Sequence, residues 1–313
     1  MDLDNQFVTY HPIDDYVQSA NTLFHFMKKL DYLKSILIHS ALIPRYCIEN
    51  IDFLHIHNDK QSFNEIAVLQ KCFCDIPFHK LADTFPICGI GEGYNSLSAE
   101  ERKELEKGNT HFAYYGEYAI AFSKRWGELK KLQPVHYLNE DSQYALDFAS
   151  LFKSMLKKNK LPDLYAQDVM NRLAFIKPLR GIMKRDFKRS DSTDVTIEIN
   201  KNFHDECEWR YVPDSNTLSS AGIDAIIANP NIIIARSGIN NGLENEKYKD
   251  LWLSFSYDEI RYIIVPDSSA RIEMIKVIQN LPDSRFSNAD DIQMQRFILI
   301  SKILVLSEIR KDW

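Results

Sequence analysis

Short apolar runs with strand character alternate along this chain with segments that have helical spacing. The run LFHFM at residues 23–27 is typical of a buried strand, and the next segment places apolar residues from Leu30 to Leu37 on one helix face. Strand-like runs recur at EYAIAFS, VTIEI, HDECEWRYVP, LWLSF and EIRYIIVP. There is no internal repeat and no proline-rich linker. The pattern therefore predicts a single α+β domain over residues 1–313, interrupted by helices.

Three further segments carry specific secondary-structure predictions. SAEERKELEKG is a predicted helix in which Ser98 and Glu101 have capping-box spacing and Gly108 ends the helix. Residues 141–176 predict two amphipathic helices, the second starting after Pro162, which form a helical insertion within the domain. The C-terminal run RFILISKIL is predicted as a strand.

The overall charge limits the kinds of partner that the chain can bind. It has 38 Lys and Arg against 44 Asp and Glu, a formal net charge of -6, which argues against a surface that is basic throughout. Any site for a polyanion must therefore be local. One strong basic run, with Asp186 as its single acid, contains Lys177, Arg180, Lys184, Arg185, Lys188 and Arg189.

The cysteines and the N-terminus indicate a cytoplasmic location. The five cysteines are an odd number and include no CxxC pair, and the N-terminus has neither a basic start nor an apolar core. No window approaches the roughly 20 consecutive apolar residues that a membrane span requires. We therefore expect a reduced protein with no membrane association.

Two carboxylates stand close together late in the chain. Glu206 and Glu208 lie in a strand-like run, where period-two alternation predicts that they share one face while Cys207 points to the other. If that face lines a cleft, their mutual repulsion raises one pKa and leaves the other group ionised, which suits proton transfer and cation stabilisation. The alternative is a solvated strand face with Arg210 as counterion.

The remaining polar motifs are less informative. His25, on the first predicted strand, offers a hydrogen bond to a ligand hydroxyl or is a satisfied structural residue. The GIGEG loop lacks the third glycine of a dinucleotide fingerprint. The groupings closest to a metal site are Cys72 and Cys74 with His79, and His55 with His57. No second ligand pair has suitable spacing, so no metal is predicted.

Several separated motifs together resemble the AbiGi-type family of abortive phage-infection proteins. In order, they are LFHFMKKLDYLKSIL, IPRYCIEN, CFCDIP, HFAYYGEYAIAFSKRWG with PVHYL, and ECEWRYVP. They span roughly residues 21–213, and IRYIIVPD continues the resemblance. The helical segments at 97–108 and 141–176 depart from the family pattern. The resemblance implies one member of a phage-exclusion pair, and the family is described as the antitoxin of that pair.

The order of a histidine strand, an aromatic–serine strand and a late ExE pair also resembles the mono-ADP-ribosyltransferase fold. This resemblance implies a split sheet core with inserted helices, NAD as substrate and no metal. Glu208 would be the catalytic glutamate and Glu206 the preceding member of ExE. The implied NAD contacts are His25 for the adenosine ribose, Arg45 for the phosphates, Tyr115 or Tyr118 for nicotinamide stacking, and Ser123 for the second-strand serine. The second strand reads AFSKRW where that fold has STS.

The function implied by the second resemblance is an anti-phage toxin that transfers ADP-ribose from NAD to a macromolecule. Positive charge develops as the nicotinamide–ribose bond breaks, and Glu208 would stabilise it. The basic run would bind an RNA or single-stranded DNA acceptor, which we favour over protein. The toxin's partner would be a neutralising antitoxin, with or without a chaperone. The alternatives are a non-catalytic antitoxin or binding module, and an RNA-acting phosphotransferase or nuclease-like effector.

Overall fold

The computed structural model describes residues 19–57, 62–157, 171–286 and 291–310. Its strands are β1 (Thr22–Met27), β2 (Ala41–Leu42), β3 (Arg45–Asn50), β4 (Glu65–Cys74), β5 (Cys88–Ile90), β6 (Tyr118–Ser123), β7 (Gln133–Pro134), β8 (His136–Leu138), β9 (Ile176–Pro178), β10 (Arg180–Lys188), β11 (Asp194–Asn202), β12 (Glu208–Tyr211), β13 (Ile226–Ile227), β14 (Leu253–Ser254), β15 (Ile260–Val265) and β16 (Ile303–Val305). Its helices are α1 (Leu30–His39), α2 (Gly91–Asn95), α3 (Ala99–Lys107), α4 (His111–Tyr115), α5 (Lys124–Leu129), α6 (Gln143–Lys157), α7 (Ser215–Ala221), α8 (Pro230–Ile234), α9 (Arg236–Gly242), α10 (Ser268–Gln279), α11 (Ile292–Ser301) and α12 (Leu306–Ile309).

The largest sheet of the described residues has nine strands. Seven follow the order β16-β15-β6-β1-β4-β12-β7, and β3 and β13 also pair with β4. Only the pairing of β15 with β16 is parallel, so the sheet is mixed and mainly antiparallel. Together with the interleaved helices, this sheet confirms the predicted α+β class.

Strand β4 is the element on which the large sheet divides. Its first part pairs with β3, in a register that runs from Asn50↔Glu65 to Arg45↔Gln70. Its last residue, Cys74, pairs with Phe24 of β1. The ten residues of β4 therefore pair first with β3 and then with β1.

Backbone hydrogen bonds show which strands share an edge of β4. The N–H of Leu69 donates to the carbonyl of Ala225, just before β13, and the N–H of Asp75 donates to that of Cys207, just before β12. Leu69 and Asp75 are six residues apart, so the two-residue period of a strand points both N–H groups to the same edge. Strands β3 and β1 therefore share the opposite edge, and a gap separates them there.

A second, three-stranded antiparallel sheet has the order β10-β11-β5. Strands β10 and β11 pair along their whole length, from Arg180↔Asn202 to Lys188↔Asp194. Strand β9 pairs in parallel with β8 just before β10 begins. Most of the basic run is therefore ordered strand, with alternate residues on opposite faces.

Helices α1, α10 and α11 share one apolar core with the large sheet. The helical spacing predicted after β1 places Leu33 and Leu37 of α1 in this core. Other buried members are Leu23 of β1, Phe122 of β6, Ile263 of β15, Met274 of α10 and Leu299 of α11. Burying these side chains supplies the main stabilisation of this face of the sheet.

The locally encoded elements are confirmed. Strand β1 is followed by α1, and β6 is followed by α5, as the apolar spacing predicts. The capping box of α3 is present: the Ser98 hydroxyl accepts from the Glu101 N–H at 3.2 Å, and the Glu101 carboxylate accepts from the Ser98 N–H at 2.9 Å. Gly108 is the C-cap. Helix α6 is the first helix of the predicted 141–176 insertion, and the start of the second, after Pro162, lies outside the described residues.

The prediction of a strand for the whole run RFILISKIL is wrong. Helix α11 extends to Ser301, and only Ile303–Val305 forms a strand, paired in parallel with β15. A short apolar run does not distinguish a strand from a buried helix by its periodicity alone. Here the helix is selected by tertiary contacts: the buried guanidinium of Arg296 donates to the carbonyls of Ile278 and Leu281 at 2.8 and 2.7 Å.

Among the residues that the structure describes, none of the helices has both the length and the apolar character needed to cross a membrane.

Gly116, between α4 and β6, tests how tightly β1 and α4 approach each other. Its φ is +98°, and a Cβ there would lie 2.2 Å from the carbonyl oxygen of Met27. Gly116→Ala should lower the free energy of unfolding by about 3 kcal/mol or more, because the backbone is strained at this φ and the added Cβ would clash with a backbone atom.

Gly238→Ala in α9 is the matched control, since no heavy atom lies within 4 Å of its added Cβ. It should raise that free energy by up to about 1 kcal/mol. Equal urea-unfolding midpoints for the two variants would contradict this close approach of the two elements.

Candidate functional site

A cleft of about 800 Å³ opens at the gap between β3 and β1. Strands β1, β3 and β4 contribute its walls, together with β9, β10, helix α4 and the turn before β12. Residues from separate predicted motifs meet here. Those predicted from the sequence are His25, Tyr115, Lys177, Arg180, Lys184, Glu206 and Glu208.

His25 fills part of the gap in the sheet. Its Nδ1 lies 2.7 Å from the carbonyl oxygen of Cys72, in the segment of β4 between the pairings with β3 and β1. Burial, with a contribution from the charge of Lys71, lowers the pKa of His25 to about 3. The neutral ring therefore donates through Nδ1, which leaves Nε2 as an acceptor. His25 is thus both a structural residue and a potential ligand contact.

Glu206 and Glu208 converge on the same lysine. Glu206 ends a short 3-10 turn, Phe203–Glu206, and Glu208 begins β12. Cys207 between them has a φ of +43°, so strand alternation is the wrong reason for their common direction. They nevertheless point to one place, because Lys177 Nζ lies 2.6 Å from Glu206 and 3.0 Å from Glu208.

This lysine belongs to a buried network of alternating charges. Lys201 Nζ lies 2.7 Å from Glu206, whose other contacts include the Tyr115 hydroxyl. Arg210 donates to both oxygens of Glu208 at 2.7 and 3.2 Å and also pairs with Glu49 at 2.9 Å. The network contains three cations, Lys177, Lys201 and Arg210, and three carboxylates, Glu49, Glu206 and Glu208. Its formal charge is therefore zero.

The expectation that repulsion raises one of the two carboxylate pKa values is wrong. Burial alone raises the pKa of Glu206, but the charges of Lys177 and Lys201 lower it overall. Burial likewise opposes ionisation of Glu208, and the charges of Arg210 and Lys177 hold its pKa well below the ordinary value. Both carboxylates are ionised at neutral pH because cations separate them. Neither is poised to act as a general acid.

The alternative interpretation of Glu206 and Glu208, a solvated strand face with Arg210 as counterion, is correct for the counterion and wrong for the solvation. Arg210 is the counterion of Glu208, as the spacing suggested. The pair is not on a solvated face, however, because Arg210 is 0% exposed and Glu208 is buried. A buried ion pair constrains the structure far more than an exposed one, since separating its members leaves a charge without solvent.

Three predicted NAD contacts do not line the cleft. Arg45 forms an ion pair with Glu244. Tyr118 packs against the apolar core that contains α1. The Ser123 hydroxyl accepts from the Trp126 N–H at 3.1 Å and caps α5. The departure from STS to AFSKRW therefore coincides with a helix-capping role for this serine. Of the two candidate tyrosines, the one in the cleft is Tyr115.

The basic run does not form one uniform surface. Lys177 is in the charge network, and Arg189 donates to the Ser96 hydroxyl. Arg185 Nη1 donates to the Asn109 side chain at 3.1 Å. Half of the predicted acceptor-binding cations thus donate hydrogen bonds within the protein.

The other three cations lie on one exposed face of β10. Arg180, Lys184 and Lys188 alternate along the strand with more buried residues, as strand geometry requires. Lys184 lies 3.7 Å from Glu198, an exposed pair that contributes little binding energy. This face is the part of the run that remains available to an external anion.

Several residues of the site are not among those predicted from the sequence, and they include Glu49, Gln70, His111 and Lys201. Gln70 and His111 line the cleft, and Lys201 reaches Glu206 from β11. His111 is four residues before Tyr115, so helical spacing could have placed it beside that tyrosine; their ring centroids are 4.6 Å apart. No local signal marks Gln70 or Lys201, because their partners are distant in sequence.

The described residues contain no cluster of three or more His, Cys, Asp or Glu side chains arranged to hold a metal ion.

Comparison with known proteins identifies related sequences. A family model described as "Putative abortive phage resistance protein AbiGi, antitoxin" matches residues 96–266. The "Abortive phage resistance protein AbiGi" of Lactococcus lactis subsp. cremoris is 32% identical over 283 residues, which cover 87% of this chain and 100% of the relative. No solved structure matches the chain. No structural neighbour therefore supports the predicted likeness to ADP-ribosyltransferases. What the structure shows is the coarser α+β class.

The two cleft histidines predict acid sensitivity. Burial is the main cause that lowers the pKa of His25 and of His111 to about 3, from 6.5. Below pH 6.5 the unfolded chain takes up protons that the folded protein does not bind, so the free energy of unfolding falls as pH decreases toward 3. We expect each histidine to remove about 1 to 2 kcal/mol between pH 6.5 and pH 5, measured by urea unfolding.

The double variant His25→Gln, His111→Phe should show a weaker dependence over that pH interval. Glu206 and Glu208 contribute little over this interval, because their ordinary pKa of 4.5, at which the unfolded chain begins to take up protons, lies below pH 5. A wild-type unfolding midpoint that is unchanged between pH 7 and pH 5 would rule out neutral histidines at these positions.

Proposed function

Because the chain belongs to the AbiGi family of abortive phage resistance proteins, we propose that it acts in abortive infection as the antitoxin-type, partner-binding member of a pair. The observation that carries this proposal is the neutral, buried charge network, in which Glu206 and Glu208 are both bound by cations. The description of the family as an antitoxin supports the same role.

The charges around Glu208 favour a structural role for this residue over a catalytic role. A carboxylate that assists glycosidic cleavage lowers the barrier by attracting the positive charge that develops on the ribose. Glu208 is already in contact with Arg210 and Lys177, whose charges would repel such a cation. The same contacts connect β12 to β9, while Lys201 connects the small sheet to Glu206. The network therefore holds the two sheets together.

A charge-balanced variant tests the proposal. Glu208→Gln alone leaves buried cations without their partner, which typically costs about 3–5 kcal/mol and could unfold the protein. The double variant Lys177→Met, Glu208→Gln removes one positive and one negative charge and keeps the network neutral. We expect wild type alone to be harmless to a bacterial host. Wild type and the double variant should both restore growth when co-expressed with the toxin of the pair.

Growth arrest by the wild type alone would contradict the antitoxin role. Circular dichroism and urea unfolding of the double variant provide the control, so that loss of neutralisation is interpreted only for folded protein. If the folded double variant fails to neutralise while Gln133→Met, an exposed substitution on β7, still does, then the pair of Lys177 and Glu208 has a role beyond structural support.

A second candidate function is transfer of ADP-ribose from NAD. It is favoured by one observation: His25, Tyr115, Glu206 and Glu208 come from separate motifs and line the same cleft. The volume of about 800 Å³ lies within the usual range for ligand sites. In this reaction the ribose–nicotinamide bond breaks, nicotinamide leaves as a neutral molecule, and an acceptor atom bonds to the ribose carbon and loses a proton. An RNA or single-stranded DNA acceptor would contact the exposed cations of β10.

The second candidate predicts nicotinamide release from NAD in the presence of RNA or single-stranded DNA. Lys184→Glu with Lys188→Glu should lower the amount of ADP-ribose transferred to nucleic acid at least tenfold per nicotinamide released, because both residues lie on the exposed face of β10. Lys103→Glu with Lys107→Glu on α3 makes the same charge change on another exposed surface. It should leave the ratio unchanged.

Absence of nicotinamide release by the wild type with RNA, single-stranded DNA and protein acceptors would reject this candidate. RNA cleavage or phosphorylation without NAD consumption would instead favour the phosphotransferase or nuclease alternative.

A further inference from the structure

Two buried polar atoms at the cleft have no hydrogen-bond partner among the described residues. They are Gln70 Oε1 and His111 Nδ1. Gln70 is 1% exposed and His111 is 3% exposed, and both line the cleft. Buried polar groups in native proteins are almost always hydrogen-bonded. Two of the six buried side-chain atoms without a partner among the described residues thus lie on the walls of one cavity, where a bound molecule would supply the missing partners.

The orientation of the Gln70 amide follows from its other contact. Its Nε2 donates to Glu49 Oε1 at 2.6 Å, and Glu49 also binds Arg210. Since a carboxylate only accepts, the amide nitrogen must face Glu49 and the amide oxygen remains the free acceptor. His25 contributes a second acceptor, because its Nδ1 proton is directed to the Cys72 carbonyl. The cleft therefore requires a ligand that donates hydrogen bonds.

The walls favour a planar ligand. The His111 ring lies 4.8 Å from the Phe26 ring and 4.6 Å from the Tyr115 ring, measured between centroids. Further aromatic side chains that line the cleft are Phe24, Phe53, Phe73 and Phe203. Aromatic side chains offer stacking area to a flat ring, and the polar groups between them fix its orientation.

The charge of the cleft is positive only toward β10. The buried network is neutral, whereas Arg180 and Lys184 line the cleft from the exposed face of β10. An anionic group would bind there as a hydrogen-bond acceptor to guanidinium and ammonium. A suitable ligand therefore combines a planar donor-bearing ring with an anionic group.

We propose that the cleft is a binding site for an amino-bearing purine nucleotide, whose polar ring and sugar groups bind Gln70 Oε1, His111 Nδ1 and His25 Nε2 and whose phosphate faces Arg180 and Lys184. This inference goes beyond neutralisation of a partner, which needs no small ligand. It shares the cleft with the second candidate function but requires no turnover of NAD.

The test compares two nucleotides that differ in the purine substituent that would donate a hydrogen bond to the buried acceptor. Adenosine 5′-monophosphate carries an exocyclic amino group, and purine riboside 5′-monophosphate has only a hydrogen at the same position and no donor on its ring. By calorimetric titration, the wild type should bind the adenosine nucleotide at least tenfold more tightly, since one buried acceptor is left unpaired by the other nucleotide. Gln70→Met should abolish this preference, and Gln133→Met on β7 should preserve it.

A second variant keeps the proposal falsifiable if Gln70→Met does not fold. His111→Phe retains the ring contacts with Phe26 and Tyr115 but removes Nδ1, and it should weaken binding of the adenosine nucleotide about tenfold. Arg180→Gln with Lys184→Gln should remove the advantage of adenosine 5′-monophosphate over adenosine, which lacks the phosphate.

The proposal is overturned if the wild type binds neither nucleotide at millimolar concentration, or binds both equally. Binding with the expected preference but without nicotinamide release from NAD supports this site and rejects the second candidate function. Nicotinamide release without a preference between the two nucleotides supports the second candidate function and rejects this site. Neutralisation of the toxin is a separate measurement, so failure of the antitoxin role does not alter this result.

Discussion

Lys177 joins Glu206 to Glu208 at the centre of a buried charge network that also connects the two sheets through Lys201. The lysine comes from β9, while its two carboxylate partners come from the turn before β12 and from β12 itself. Lys201 and Arg210 complete the neutral network. A buried charge without a partner is strongly destabilising, so each member restricts the positions of the others. The network therefore helps to position the small sheet against the large sheet, together with the apolar cluster that contains Phe187, Ile197 and Ile199.

The cleft is a consequence of the way β4 is shared. Because β3 pairs with its first part and β1 with its last residue, the edge between those pairings lacks a partner strand. The His25 side chain occupies part of that edge through its hydrogen bond to the Cys72 carbonyl. Gln70, at the end of the pairing with β3, lies beside this gap on the cavity wall. Sheet topology, and not a motif, therefore creates the opening in which a ligand would lie.

The charges of the network separate binding from catalysis. Lysine and arginine around Glu206 and Glu208 keep both carboxylates ionised, but they also repel positive charge that develops nearby. A neutral ring that donates hydrogen bonds meets no such repulsion. A binding role in abortive infection is therefore easier to reconcile with this site than bond cleavage, although the motifs that suggested NAD chemistry do line the same cavity.

The sequence by itself determined the elements whose causes are local. Apolar spacing identified β1 with α1 and β6 with α5, and the capping box identified α3, because contacts within a few residues decide these elements. The convergence of Glu206 and Glu208 was also predicted, although a turn and not strand alternation produces it. Only the tertiary structure placed Gln70 and Lys201 at the site, made Ser123 a helix cap and Arg296 a buried donor in α11, and lowered both carboxylate pKa values. These outcomes depend on partners that are far away in sequence and on burial. The spacing of neighbouring residues encodes neither the distant partners nor the burial.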